Sequence, residues 1–186
     1  NRLTIKRSAQ SYHFTNPAMM ENIYARILEI ADLTRSESML HVYSGVGALC
    51  LALAAQAKSV VGIDESVFNT RDAEKNAKIN NVKNVNFYHG KVEALLPQMV
   101  QDKLLSKEQD LIVLSPLHGS VSEQTIFDIV FLKPKKIIYL TSSPKKLVSQ
   151  LSMFYREGYK ALFFEIFDTY PGTNRYEVLC YFEKME

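Results

Sequence analysis

The 186 residues include no tryptophan and only two cysteines. Cys50 and Cys180 both sit in strongly apolar stretches, which favours buried free thiols in a reducing cytoplasm over a disulfide framework. Neither sign of charge is in excess. The 22 Lys and Arg face 20 Asp and Glu, and a net charge of +2 neither requires nor excludes a nucleic-acid partner. No apolar run approaches the roughly 20 residues that a membrane helix needs, and no signal-peptide pattern is present. The four histidines, His13, His41, His89 and His118, lack metal-ligand spacing, so no metal site is expected. Internal repeats and low-complexity tracts are absent too. What remains is 47% hydrophobic and 23% charged residues, which suits one globular domain with a short extension. The ten Tyr and ten Phe fall mostly inside strand-like runs and read as core. The first residue is Asn1 rather than methionine, so a piece of a longer protein is expected.

Two kinds of segment alternate. Short aliphatic or β-branched runs at 39–43, 59–63, 85–88, 111–114 and 136–140 predict strands. Segments at helical spacing, 46–57, 66–80, 92–104, 121–131 and 144–156, lie between or after them. This alternation predicts an α/β fold, a mainly parallel sheet with helices on both faces. The strands are continuous apolar runs, as strands covered on both faces should be. Two further runs, 161–167 and 176–182, are joined by Tyr170-Pro171-Gly172-Thr173-Asn174 with no helix between them, so a terminal antiparallel hairpin is expected at one edge. Ahead of the first strand, Asn16 and Pro17 signal a helix start. Met20, Ile23, Tyr24, Ile27 and Ala31 then share one face.

The most informative local feature is the first strand running into Ser44-Gly45-Val46-Gly47 and an apolar helix. Small residues between a strand and a helix leave room for a ligand, and glycines let the backbone approach it. The second strand ends in Asp64, where an acid can accept hydrogen bonds from two ribose hydroxyls. A nicotinamide fold wants a third glycine, but that position is Cys50. A structural turn without a ligand and a pocket for S-adenosylmethionine remain as the other readings.

A longer stretch bears on that choice. The segment from Asp72 to Phe87 carries Asn76-Ala77-x-x-Asn80-x-x-x-Asn84-x-x-Phe87 and resembles the RNA 5-methyluridine methyltransferases, the TrmA/RumA family. The resemblance extends in order along nearly the whole chain. It includes the 11–17 segment, the 59–64 strand, Gly90-Lys91-Val92-Glu93, Leu114-Ser115-Pro116-Leu117-His118, the Ser142-Ser143-Pro144 motif and the stretch from Tyr170 to Glu177. It implies a class I S-adenosylmethionine-dependent methyltransferase, Rossmann-like, with seven strands. Residues 1–35 would form an N-terminal strand and helix packed on a methyltransferase domain at 36–186. The cofactor would meet Tyr43, Gly45, Gly47, Asp64, Glu65, Lys91 and Ser115. A transfer or ribosomal RNA would meet Pro116, His118, Lys145 and Lys146, the two lysines following the fifth strand on the ligand side of the sheet.

The family's chemistry sets a demand that this sequence does not meet. A cysteine thiolate adds to carbon 6 of uracil, carbon 5 attacks the sulfonium methyl group, and a base removes the carbon 5 proton. Glu177 matches the base, but Ser142 stands in place of the cysteine, and a serine hydroxyl is a far weaker nucleophile. Phe14, His41, Lys91, Ser115 and His118 also depart from the family's residues. The expectation is therefore a weak or inactive uracil-C5 methyltransferase. The alternative is a non-catalytic RNA- or protein-binding module of the same descent. A methyltransferase for an exocyclic amine ranks last, because Ser115-Pro116-Leu117-His118 lacks the usual motif for that chemistry. Cys50 and Cys180 are not expected to substitute as nucleophiles, since Cys180 lies three residues from Glu177 on a strand and faces the other way. Ser143 is expected to cap the helix that follows it.

Overall fold

Asn16 begins the first helix with its own side chain. It accepts a hydrogen bond from the Met19 N–H at 3.2 Å, Pro17 takes the first helical position, and α1 runs Pro17–Ala31. Met20, Ile23, Ile27 and Ala31 are buried along one face, while Tyr24 is half-buried. In this computed structural model, which describes residues 3–12, 16–116 and 121–185, strands and helices then alternate. They are β1 (Ser38–Val42), α2 (Ala48–Ala54), β2 (Ser59–Asp64), α3 (Val67–Ile79), β3 (Val85–His89), α4 (Val92–Gln101), β4 (Leu111–Leu114), α5 (Glu123–Phe131), β5 (Lys136–Thr141) and α6 (Pro144–Arg156). β6 (Tyr159–Phe167) and β7 (Glu177–Lys184) complete the sheet.

The seven strands lie in the order β3-β2-β1-β4-β5-β7-β6. β1 to β5 pair in parallel, while β7 runs antiparallel to both β5 and β6. The hairpin is thus inserted with its second strand inside the sheet. Its connection is a tight turn in which the Thr173 N–H reaches the Tyr170 carbonyl at 3.0 Å, with Gly172 at φ 82. One core lies under α4, α5 and α6, with Ile112, Ile137, Phe154 and Phe182 among its members. The other lies under α1, α2 and α3 and includes Ile23, Leu53, Val60 and Leu179. β6 carries an irregularity between Ala161 and Phe163. Beyond it Phe163 and Phe167 pack on the α1 side, while Glu165 meets Arg26 of α1 at 2.7 Å.

The strand expected within residues 1–35 is not found among the described residues. Residues 3–12 form no ladder because the side chains of α3 take up their backbone instead. Asn80 accepts from the Thr4 N–H and donates to its carbonyl, both at 2.8 Å. Asn76 does the same for Lys6 at 2.8 and 2.9 Å. Asp72 accepts from the Ser8 N–H at 2.5 Å and the Ser11 hydroxyl at 2.6 Å, and Asn69 accepts from the Tyr12 N–H at 3.0 Å. Positions 69, 72, 76 and 80 share one side of a helix, so these four side chains form a polar ladder along α3. Burial alone would raise the Asp72 carboxyl, but the Ser11 and Ser8 donors outweigh it and hold it at about 2.

Two glycines are explained by one aromatic ring. A Cβ on Gly62 would lie 2.5 Å from the Phe87 ring, and one on Gly47 would lie 2.6 Å from it. Gly47 also sits at φ 80, where side chains are strained. Gly47 therefore makes room for Phe87 and Ala73, a packing role beside the one expected of it against a ligand.

Asn76 is fully buried and also donates to the Val46 carbonyl at 3.0 Å. Asn76→Ala removes the partner of the Lys6 N–H and carbonyl and of the Val46 carbonyl and should cost about 1–3 kcal/mol, read from chemical denaturation. Gly62→Ala should destabilise by at least about 1 kcal/mol through overpacking, and Phe87→Leu in the same chain should recover part of that loss. Simple additivity of those two changes would contradict the contact.

Candidate active site

The carboxyl ends of the parallel strands converge on one edge of the sheet, and Asp64 organises its first half. Its Oδ2 accepts from the Gly45 N–H at 2.8 Å. Its Oδ1 accepts from the Ser66 N–H and the Asn69 amide, each at 2.9 Å. The carboxylate thus fixes the glycine loop to the start of α3. Asp64 is only 8% exposed, and with three donors in place it presents one remaining acceptor position, on Oδ2. That is less than the two ribose contacts expected from the sequence. Gly45, at φ 57, faces open space, with nothing within 4 Å of where a Cβ would stand. Glu65 and Lys91 are exposed beside this edge, and Tyr43 is half-buried at φ 65. Burial raises the Tyr43 phenol, while neighbouring Thr125 opposes that shift. A left-handed, acid-anchored loop with free space over Gly45 suits a ligand that brings hydroxyl donors and an apolar body.

Beneath the loop lies a chain of three side chains. His41 places Nδ1 3.3 Å from the Cys50 sulfur and Nε2 2.7 Å from Ser115 Oγ. Ser115 in turn donates to the Tyr43 carbonyl at 3.1 Å. The tautomer protonated at Nε2 satisfies every member, with the Cys50 thiol donating to Nδ1. Burial pushes the imidazole down to about 3, so His41 is neutral at physiological pH. With no carboxylate to stabilise an imidazolium, this trio is a fixed hydrogen-bond chain rather than an activated nucleophile. Burial also raises the Cys50 thiol strongly and pushes Cys180 up to about 12. Both cysteines are therefore inert thiols, and Cys180 packs in the core opposite the α1 side.

The second half is assembled by strand register. β5 and β7 pair Thr141 with Val178, so one step further Ser142 stands at the register position opposite Glu177. Ser142 is exposed and Glu177 half-buried. Burial raises the Glu177 carboxyl to about 7, in the range of a working general base. Tyr12, missed in the sequence reading although it lies in the 11–17 segment, stands near Tyr170 and Glu177, and its phenol is raised first by burial and then by those two groups. Asn69 was missed as well. It bonds both Asp64 and Tyr12 and so ties the two halves together, and no motif signalled it.

The remaining expected residues are less concentrated. Pro116 is buried just past the carboxyl end of β4. Lys145 and Lys146 are exposed in the first turn of α6. Ser143 occupies the cap position of α6, but its side chain makes no capping bond, contrary to expectation; its N–H instead donates to Thr141 Oγ1 at 3.0 Å. Phe14 and His118 lie outside the described residues. Among the described residues no cluster of His, Cys, Asp and Glu is placed to hold a metal, and no helix is long and apolar enough to cross a membrane.

A family model described as a methyltransferase domain matches residues 33–166. The chain belongs to the methyltransferase-domain family. This methyltransferase fold is the class I, S-adenosylmethionine-dependent one, and the open loop at Gly45 with its acid at Asp64 fits that cofactor. Relatives include an uncharacterized RNA methyltransferase of Enterococcus faecalis, 33% identical over 94% of this chain and 38% of that protein. Another, from Listeria innocua, is 31% identical over 92% and 37%. The chain thus spans under two-fifths of the length of either relative. Among solved structures, the Pyrococcus abyssi tRNA (uracil-54, C5)-methyltransferase, in complex with S-adenosyl-L-homocysteine, superposes with a TM-score of 0.77 at 22% identity. That match covers 93% of this chain and 40% of the other. A Plasmodium falciparum dimethyladenosine transferase superposes at 0.67 and 15% identity, covering 93% and 63%.

Because the His41 pKa falls from 6.5 to about 3 on folding, the neutral form is native and the unfolded chain binds the extra proton. Its contribution is complete above 6.5 and is lost as pH falls toward 3, at up to about 1.4 kcal/mol per pH unit. Melting curves from pH 7 to 4.5 should show a steeper loss for the wild type than for His41→Gln, and parallel curves would contradict the assignment. Native protein should leave both thiols unmodified by a maleimide, with two modified on unfolding.

Proposed function

We propose that this methyltransferase domain descends from RNA uracil-C5 methyltransferases and is weak or inactive in methyl transfer. The observation that carries the proposal is the end of the β5–β7 ladder at Thr141 and Val178, from which Ser142 and Glu177 are each the next residue, a base one step past the ladder beside the position where a nucleophile is needed. S-adenosylmethionine, when bound, supplies an electrophilic methyl group. Gly45 and Asp64 hold and orient it, with Tyr43, Glu65, Lys91 and Ser115 around the pocket. Glu177, raised to about 7, is suited to take a proton from carbon 5 of a pyrimidine. Ser142 is exposed at the neighbouring strand end, but a serine hydroxyl stays almost wholly protonated near neutral pH and is too weak a nucleophile to add to carbon 6. Lys145 and Lys146, exposed next to Ser142, would meet the RNA backbone. A second reading, an RNA-binding module without chemistry, draws support from the three donors already on Asp64, which leave the cofactor a single acceptor.

Two measurements separate these readings. Calorimetric titration with S-adenosylmethionine should give micromolar binding for the methyltransferase-derived domain, and no heat would favour the module. With unmodified transfer and ribosomal RNA, the wild type should form little 5-methyluridine, and robust formation would overturn the proposal. Ser142→Cys should raise methyl transfer by roughly a hundredfold or more, because a thiolate replaces a hydroxyl. In that variant the rate should climb with pH through about 7, as Glu177 ionises, and Glu177→Gln should abolish the climb.

A further inference from the structure

We propose that the 3–12 segment and the outer side of α3 form a track for an RNA phosphate backbone, leading to the Ser142–Glu177 pair. The inference rests on the RNA reading above and adds a contact surface to it. The ladder of α3 side chains fixes the segment along the helix and antiparallel to it, with Lys6 pinned at Asn76 and Ser8 at Asp72. Lys6 and Arg7 are thereby held, exposed, alongside the helix. On α3 itself Arg71, Lys75 and Lys78 recur at i, i+4 and i+7, a single exposed stripe. Glu74 is the only exposed carboxylate of that helix, since Asp72 is buried. Five cations against one exposed acid stand out in a chain of net charge +2, because the remainder is then net acidic. Among the described residues Lys6, Arg7, Arg71 and Lys78 enter no ion pair.

The track has direction and length. From the Thr4–Asn80 contact to the Tyr12–Asn69 contact it follows about 16 Å of helix. A single small anion does not need such a surface, whereas a polynucleotide backbone presents charges along it. It ends at Tyr12, whose phenol lies near Glu177, so a strand following the track reaches the pair of residues proposed to face the base.

The test uses unmodified total transfer RNA as the probe, with binding read by fluorescence anisotropy across a salt series. Arg7→Glu, Arg71→Glu and Lys78→Glu combined should weaken binding by about tenfold or more near 0.1 M salt and lower the log–log salt slope by about 2–3. The corresponding triple alanine variant should show a smaller loss of the same sign. A control at the opposite pole of the sheet, Lys58→Glu with Lys133→Glu, should leave the slope unchanged. All the altered side chains are exposed, and circular dichroism with melting confirms each fold. Wild-type affinity and slope in the triple variant would overturn the track while leaving the RNA reading intact. So would an equal loss in the control, since bulk charge would then explain it. A wild type that binds no RNA at all would overturn both.

Discussion

Asp64 holds this molecule's working edge together. One carboxylate receives the glycine loop through Gly45, the start of α3 through Ser66, and the Asn69 amide. Asn69 in turn receives Tyr12, so the N-terminal segment is tied to the same group at one remove. A buried carboxylate is costly unless several donors face it, and here the backbone itself supplies two of the three. The loop and the segment are therefore ordered by a single electrostatic requirement. Whatever ligand binds must share this acid with contacts the fold already uses.

Much of the architecture was legible because the period of the apolar residues changes clearly along the chain. The runs around Leu40, Val61 and Ile138 could only be strands covered on both faces, and Asn16-Pro17 could only open a helix. The hairpin was visible in Pro171-Gly172. The interior position of β7 was not, because strand order depends on which edge the hairpin docks against, and no local signal states that. The N-terminal segment misled for a related reason. Its composition suits an extended chain, but an extended chain becomes a strand only if a sheet edge receives it, and here the amides and carboxylate of α3 do so.

The residues of the working edge were legible singly and not in their connections. Asp64, Gly45, Ser142 and Glu177 stood out in motifs, because each lies at a strand end or a turn. Gly47 has a packing role that the sequence did not signal, because a glycine that admits a ligand and one that admits a neighbouring ring look alike in sequence, and Phe87 lies forty residues away. The Cys50–His41–Ser115 chain was equally hidden. His41 and Ser115 each read as a separate departure from a family pattern. In three dimensions they are one hydrogen-bonded unit, so neither substitution is independent of the other. The Asn76–Asn80 pattern, which carried the resemblance, proves to be scaffolding for the N-terminal segment.

The reversed direction of β7 has one more consequence. Six strands, β1 to β6, deliver their final residues to the working edge, while β7 delivers its first, Glu177. It is also the last of the thirteen elements among the described residues. During synthesis the glycine-loop side of the edge, from Tyr43 to Ser115, can therefore assemble early, whereas Glu177 arrives only when the last described strand slots between β5 and β6. A chain interrupted before Glu177 would keep the Gly45–Asp64 loop and lack the acid that follows the β5–β7 ladder. Completion of this edge thus waits on a strand that local signals alone do not place.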